Sequence, residues 1–311
     1  MTDVENKPAG QANARLAAGR PSRTAEITAQ MRAADARLRR SRRLVDDGYA
    51  RLFVTNRWYR LLRLTPGVSL LGLRVFDRTH GGFLAEILLR TRHFDDELAG
   101  AYQRGVRQAV LLGAGYDSSA LRHPAFADMV FYEVDHPATQ RAKTERLARH
   151  GLDPHNVRYT PVDLERGDRL SAALPKAGFD IREPCLIGWH GVSFFLRPPA
   201  FHAALAEMAR ICAPGSRLVF DYMDKSVVDG TTEYEGARRG AANVAAAGEP
   251  YKNGLDAAGA AEAAAGAGFV FVAHIRVRDL VRRYGGPRPY CRDDDFMGLV
   301  TVERAVSGEE A

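Results

Sequence analysis

Apolar residues beyond about position 105 fall into short dense runs, each closed by glycine, proline or charge. Strands are predicted at QAVLLG (108–113), MVFYEVD (129–135), NVRYTPVD (156–163), PCLIGWHG (184–191), SRLVFDYM (216–223), FVFVAHIRV (269–277) and FMGLVTVER (296–304). Helical patterns such as PPAFHAALAEMARICA separate several of them, and near-continuous apolar strands joined by helices imply a mostly parallel α/β sheet covered on both faces. The last two runs lack a long regular helix between them, so one of the two is expected to run antiparallel at the sheet edge. Residues 224–265 are too long for a bare connection; a helical insertion lying over the carboxyl ends of the strands is predicted there. Upstream, residues 1–22 are polar, rich in Ala, Gly and Pro, and read as a disordered tail. Ser22-Arg23-Thr24 ahead of Glu26 marks a helix start, and a helical segment runs from there to 105 with breaks at Pro66-Gly67 and Gly81-Gly82.

The stretch from Val110 to Gln140 adds chemistry to this pattern. The first strand breaks into Gly113-Ala114-Gly115, and the second ends in Glu133-Val134-Asp135. Glycines let a backbone turn sharply against a ligand, and an acid some twenty residues on suits ribose hydroxyls. The loop continues Tyr116-Asp117-Ser118-Ser119, which places an acid where a third glycine and the phosphates of a dinucleotide would lie. A nucleoside cofactor without phosphate and with a cationic amino-acid tail fits better, and S-adenosylmethionine is the common one. A seven-stranded, Rossmann-like class I methyltransferase domain over 106–311 is therefore expected behind an N-terminal helical lid at 23–105. A nicotinamide oxidoreductase is the rival that the missing glycine disfavours.

Composition narrows the surroundings. The 311 residues are 46% hydrophobic with mean hydropathy −0.28, and no apolar stretch approaches the roughly 20 residues that span a bilayer. No membrane association is expected. The opening MTDVENKPAGQANARLAAGR lacks a signal-peptide core, so a cytoplasmic location is expected. Cys185, Cys212 and Cys291 are widely spaced, which suggests neither disulfides nor zinc, and the His and Asp residues form no metal-ligand cluster. The net charge of +6 and the group Arg37, Arg39, Arg40, Arg42 and Arg43 invite a nucleic-acid reading. The apolar spacing around them places the arginines on the wet side of an amphipathic helix instead, so no nucleic-acid partner is expected.

Seven motifs carry a more specific likeness. LRTRHFDDEL, VLLGAGYDSSALR, EVDHPATQRAK, TPVDLE, WHGVSFFL, APGSRLVFDYMD and GEPYKNGLD occur in order from residue 23 onward. Together they resemble the leucine carboxyl methyltransferase family, in particular its bacterial branch of provisionally assigned S-adenosylmethionine-dependent methyltransferases and tetracenomycin-type polyketide O-methyltransferases. The resemblance implies that Arg90 holds the cofactor carboxylate, with Arg92 able to share the task. It implies that Gly113 and Gly115 turn under the methionine moiety and that Asp117 faces the ammonium or a backbone donor. Asp135 is implied for the ribose hydroxyls, Glu133 being the weaker claimant, and Asp163 and Leu164 for adenine. The readings set against these are a solvated helix-surface arginine, a helix cap ahead of Pro137 and an ordinary strand-end cap.

The chain departs from the family at His190, where members usually carry glutamate ahead of Gly-Val. A phenol or alcohol acceptor benefits from proton removal and histidine titrates in the right range, so His190 is expected as general base or orienting group, or else as a cofactor contact. Trp189, Phe194, Tyr222, Tyr251 and Tyr290 are the expected walls of an acceptor pocket. The implied activity is O-methylation of a hydroxyl or carboxyl on a small, polyketide-like natural product. A methyltransferase-like protein catalysing a cyclisation and methylation of a protein C-terminus stand as alternatives. The acceptor, the methylated atom and the oligomeric state, a homodimer included, stay open from sequence.

Overall fold

The computed structural model describes Gly19 and residues 21–55, 66–80, 82–246, 248–285 and 294–305. Among the described residues three α-helices precede the sheet: α1 Arg23–Asp35, α2 Pro66–His80 and α3 Phe83–Gln103. Ser22 caps α1 by accepting from Ala25 N at 3.2 Å, and α3 begins after Gly82, whose φ of 79° favours glycine. The strands are β1 Gln108–Leu112, β2 Val130–Asp135, β3 Val157–Pro161, β4 Cys185–Trp189, β5 Arg217–Met223, β6 Phe269–Arg276 and β7 Met297–Arg304. Their order is β3-β2-β1-β4-β5-β7-β6. The first five pair in parallel, and β7 is antiparallel to both β5 and β6. Helices α4 Pro137–Ala148, α5 Pro198–Ile211, α6 Glu235–Ala246 and α7 Ala257–Gly266 complete the longer elements.

The reversed strand is not at the edge. β7 is buried along six of its eight residues, whereas β6 forms the edge and exposes Val270 (55%), Phe271 (53%) and Val272 (40%). Both runs are apolar, so hydropathy could not rank them; the difference is that β7 is sandwiched between two strands. A bulge between Phe271 and Ala273 interrupts the β6–β7 pairing.

Side-chain alternation across the sheet builds two cores. Ala109, Leu111, Phe131, Leu186 and Val219 pack with α1 and α3 on one face. Val110, Leu112, Tyr132, Val134, Ile187, Trp189 and Phe220 pack with α5 and α7 on the other. Within the 224–265 segment the chain is helical at Lys225–Val228, Glu235–Ala246 and Ala257–Gly266.

The arginine-rich segment differs from the expected helix. α1 ends at Asp35, whose carboxylate accepts from Leu44 N at 2.7 Å and Val45 N at 2.8 Å, and this folds the chain back on itself. Arg39, Arg40 and Arg42 therefore lie on an exposed turn rather than along a helix. Among the described residues no helix is long and apolar enough to cross a membrane, and no cluster of His, Cys, Asp or Glu could hold a metal ion.

Candidate active site

Strand order reverses between β1 and β4, each of which departs in opposite directions across the sheet, and such a switch point opens a crevice at the carboxyl ends of the strands. A cavity of about 300 Å³ lies there. Its floor is made by the ends of β1, β2 and β4 and the loop after β3. Ser22, Thr24, Ala25, Thr28 and Arg32 of α1 and its cap cover one side, and Gly248, Glu249, Pro250 and Lys252 another. The two covers meet in a hydrogen bond from Thr24 Oγ1 to Glu249.

At one end stand Asp135, His136, Val162, Asp163 and Leu164. Asp135 accepts from Gly115 N at 2.5 Å and from His136 N at 2.6 Å, which ties the acid to the glycine loop. Burial pushes its carboxyl up despite these two donors. His136, not Asp135, caps α4 through Ala138 N. Asp163 is approached by Arg166 Nε at 3.4 Å and His136 Nε2 at 3.7 Å.

Gly113 and Gly115 line the middle, with φ of +69° and +52°. A Cβ at Gly113 would run into Val192, and one at Gly115 would sit 3.1 Å from Ala25 of the α1 cover. Beyond them Asp117 accepts from Ser119 N at 2.7 Å. Burial opposes ionisation there, but Arg122, Lys143 and Arg32 hold Asp117 down at about 2. It is a carboxylate at any ordinary pH.

At the far end Arg90 enters from α3. Its Nη1 donates to Glu86 and, at 2.6 Å, to Asp221 of β5. Both oxygens of Asp221 in turn accept from Gly191 N, at 2.9 and 2.8 Å, and its carbonyl accepts from Ser193 Oγ at 2.5 Å. Asp221 thus fixes both Arg90 and the loop that carries His190. Burial pushes Glu86 up to about 7 against the pull of Arg90, with the charge of Asp221 adding to the rise.

His190 lines the cavity beside Phe94, with ring centroids 4.8 Å apart and planes at 74°. Its Nε2 is buried without a hydrogen-bond partner among the described residues. Burial, then the positive charges of Arg90 and His93, press its pKa down to about 3, against a pull from Asp117. Phe94 reaches this position because Gly188 has no Cβ; one there would lie 2.5 to 3.1 Å from the ring.

Several expected residues are elsewhere. Glu133 is buried against Lys143 Nζ at 2.5 Å and does not line the cavity; it lies deeper along β2 than Asp135. Trp189 is fully buried on the opposite face of β4, stacked on Phe201 at 5.3 Å, because alternation turns Gly188 and His190 to the cavity and Trp189 away from it. The same parity on β5 turns Asp221 toward the site and Tyr222 away, where Tyr222 meets His274 Nε2 at 2.9 Å and Arg276 Nη1 at 3.0 Å. Phe194 packs under Tyr251 at 5.2 Å, and its neighbour Phe195 is the lining residue. Tyr251 itself is not part of the lining, although Pro250 and Lys252 are. Arg92 pairs with Asp96 at 3.3 Å on the surface of α3, and Tyr290 falls outside the described residues. The residues that sequence reasoning missed are the α1 cover, Thr91, Phe94, Asp221, and Glu249 with Lys252; the helix cap at Ser22 was the only local signal of the first group.

Residues 25–209 match the leucine carboxyl methyltransferase family. A protein of Mycolicibacterium vanbaalenii, provisionally assigned as an S-adenosyl-L-methionine-dependent methyltransferase, is 40% identical over 150 residues, 47% of this chain and 49% of that one. A counterpart with the same assignment in Mycolicibacterium paratuberculosis is 35% identical over 202 residues, 65% of this chain and 74% of that one. The chain therefore spans about half the length of some curated relatives and more of others. Among solved structures, a provisionally assigned methyltransferase from Thermobifida fusca aligns with a TM-score of 0.60 at 14% identity, covering 94% of this chain and 97% of that one. A DUF574 protein from Streptomyces avermitilis aligns at 0.54 and 13%, covering 78% and 92%. These two show the fold alone. With the family match covering more than half of its length and a relative 35% identical covered over 74% of its own length, the chain belongs to the leucine carboxyl methyltransferase family.

Proposed function

We propose that the protein is an S-adenosylmethionine-dependent methyltransferase that esterifies the carboxylate of a small molecule. The residues present fit the cofactor. Asp135 beside the glycine loop suits the ribose hydroxyls, Asp163 and Leu164 the adenine, Asp117 and Arg90 the two charges of an amino-acid tail, and the unpartnered imidazole nitrogen of His190 marks a polar position awaiting a ligand. When bound, S-adenosylmethionine supplies an electrophilic methyl group on a sulfonium sulfur.

The observation that carries the choice of acceptor is the setting of His190, a half-buried ring at the cavity wall whose Nε2 is buried against Phe94 with no carboxylate hydrogen-bonded to it among the described residues. An imidazole whose conjugate acid lies near 3 is too weak a base to take a proton from a phenol or alcohol with useful driving force. This weighs against the hydroxyl reading, in which His190 is the base. A carboxylate is already ionised at neutral pH and needs positioning more than deprotonation. The chain's own contribution is then to hold the acceptor oxygen in line with the methyl group, with Lys252 supplying positive charge in the lining and Phe94 and Phe195 apolar walls. The covers from α1 and residues 248–252 keep bulk water out.

The test is a panel of small carboxylic acids and matched phenols incubated with the protein and isotopically labelled S-adenosylmethionine. Labelled methyl esters that hydrolyse in mild base, formed together with S-adenosylhomocysteine, support the reading. Base-stable ethers as the only products would overturn the choice of acceptor, and the absence of S-adenosylhomocysteine across the panel would count against methyl transfer.

A further inference from the structure

Glu86 is a buried acid with no part in the esterification chemistry. It lies one turn before Arg90 on α3, and a single nitrogen of Arg90, Nη1, donates both to Glu86 and, at 2.6 Å, to Asp221 of β5. Both hydrogens of Nη1 are thereby taken, and two carboxylates already face one guanidinium in a cluster whose side chains are at most 10% exposed. Among the described residues no hydrogen bond uses Nε or Nη2 of Arg90, whose side chain lines the cavity. The two acids differ in their partners. Asp221 accepts from Gly191 N at both oxygens as well as from Arg90, and these three bonds favour its ionised form against the upward push of burial. The Glu86 carboxylate accepts only from Arg90 among the described residues. Burial, and after it the charge of Asp221, outweighs Arg90 and lifts Glu86 to about 7.

On the reading that the cavity holds S-adenosylmethionine with its tail carboxylate on Arg90, we propose that Glu86 takes up a proton from solvent when the cofactor binds and returns it when S-adenosylhomocysteine leaves. A third carboxylate beside Arg90 would leave two uncompensated negative charges in the buried cluster, and a proton on Glu86 leaves one. Protonated Glu86 still accepts from Arg90 through its carbonyl oxygen, so the guanidinium keeps its place while its charge turns to the ligand. Glu86 does not line the cavity, so it is a positioning residue that acts through Arg90. The groups facing it are Arg90 on its own helix, Asp221 of β5 and the Tyr251 phenol beyond α6, which burial and then Glu86 itself keep protonated. His190 lies beside Arg90 and is held neutral by burial, and the charges acting on it besides Arg90 are His93, itself lowered by burial, and the ionised Asp117. Tyr251, His190 and Asp117 therefore keep one charge state between pH 6 and pH 8.

The experiment measures binding, not turnover. The wild-type protein is titrated calorimetrically with S-adenosylhomocysteine, which carries the carboxylate, and with 5′-methylthioadenosine, which lacks the whole tail, in buffers of low and high ionisation enthalpy. At pH 8 S-adenosylhomocysteine should bind with uptake of roughly one proton more than methylthioadenosine, and its affinity should fall about tenfold from pH 6 to pH 8 while that of methylthioadenosine holds. Glu86→Gln, which mimics the protonated acid, should remove the difference in uptake and keep S-adenosylhomocysteine affinity within about twofold over the same range. At pH 8 this variant should bind S-adenosylhomocysteine more tightly than the wild type does, the reverse of what damage to the Arg90 support would produce. Equal uptake for the two ligands would overturn the proposal on the wild-type protein alone, and so would a pH dependence that survives Glu86→Gln. These outcomes are independent of the acceptor, so failure of the esterification reading leaves them standing. A wild-type protein that binds neither ligand would bring down the cofactor reading and this proposal with it.

Discussion

Replacing Gly113 by alanine tests whether the cofactor loop is shaped by backbone conformation, by packing, or by both. The residue has φ of +69°, a region that costs an alanine roughly 1–2 kcal/mol. Its new Cβ would lie far inside contact of Val192 Cγ2 but at 3.4 Å from Val192 Cβ and 3.7 Å from Cγ1, which are ordinary distances. Nearly all the overlap is with one methyl group, and overpacking of this kind costs about 1–3 kcal/mol. Gly113→Ala should therefore destabilise the protein by roughly 2–5 kcal/mol. Adding Val192→Ala removes the overlap and leaves the backbone cost, so the double variant should recover about 1–3 kcal/mol relative to additivity. Urea unfolding of the wild type, both single variants and the double variant, without cofactor, closes the cycle. Additive losses would refute the packing half of the reasoning; a double variant as stable as Val192→Ala alone would refute the conformational half.

Other expectations follow from the same geometry. Tyr222→Phe should cost about 1–3 kcal/mol of stability through its lost bonds to His274 and Arg276 while leaving S-adenosylhomocysteine affinity unchanged in calorimetry, and a parallel loss of affinity would return Tyr222 to the site. Thr24→Val, by releasing the contact between the two covers, should raise the cofactor dissociation rate several-fold in stopped-flow displacement; an unchanged rate would mean that the covers do not gate exchange. Burial lifts the Glu133 carboxyl to about 7, against Lys143, from an ordinary value of 4.5. The folded state therefore binds this proton more tightly than the unfolded chain does, so the contribution is fully present below pH 4.5 and lost as pH rises through 7. Glu133→Gln should make stability fall less between pH 5 and pH 8, by up to about 3 kcal/mol in denaturant titrations; an undiminished fall would mean that the Lys143 pair keeps Glu133 ionised.

The strands were legible because each is a short apolar run with a hard stop, and the cofactor loop because glycine and acid recur at ribose distance. What the pattern could not supply was the facing of neighbours along one strand. Trp189 and His190 are adjacent, as are Asp221 and Tyr222, and aromatic content favours the wrong member of both pairs while parity decides both. The order of β6 and β7 was hidden for a related reason, since Val270-Phe271-Val272 reads as core yet lies at the edge. The α1 cover depends on contacts such as Thr24 with Glu249, 225 residues apart, for which no local pattern exists. The turn at 36–43 escaped because the helical spacing continues past Asp35, where the bonds from Leu44 N and Val45 N to the Asp35 carboxylate fold the chain back.

The placement of β7 between β5 and β6 also constrains the order of assembly during synthesis. A growing chain that has released β6 but not yet residues 297–304 has no sheet partner to offer it, since β6 pairs with β7 alone. Until that segment emerges, β5 presents an open edge and the backbone of β6 has no strand to pair with. Closing this end of the sheet therefore waits on residues 297–304, which join β5 to β6.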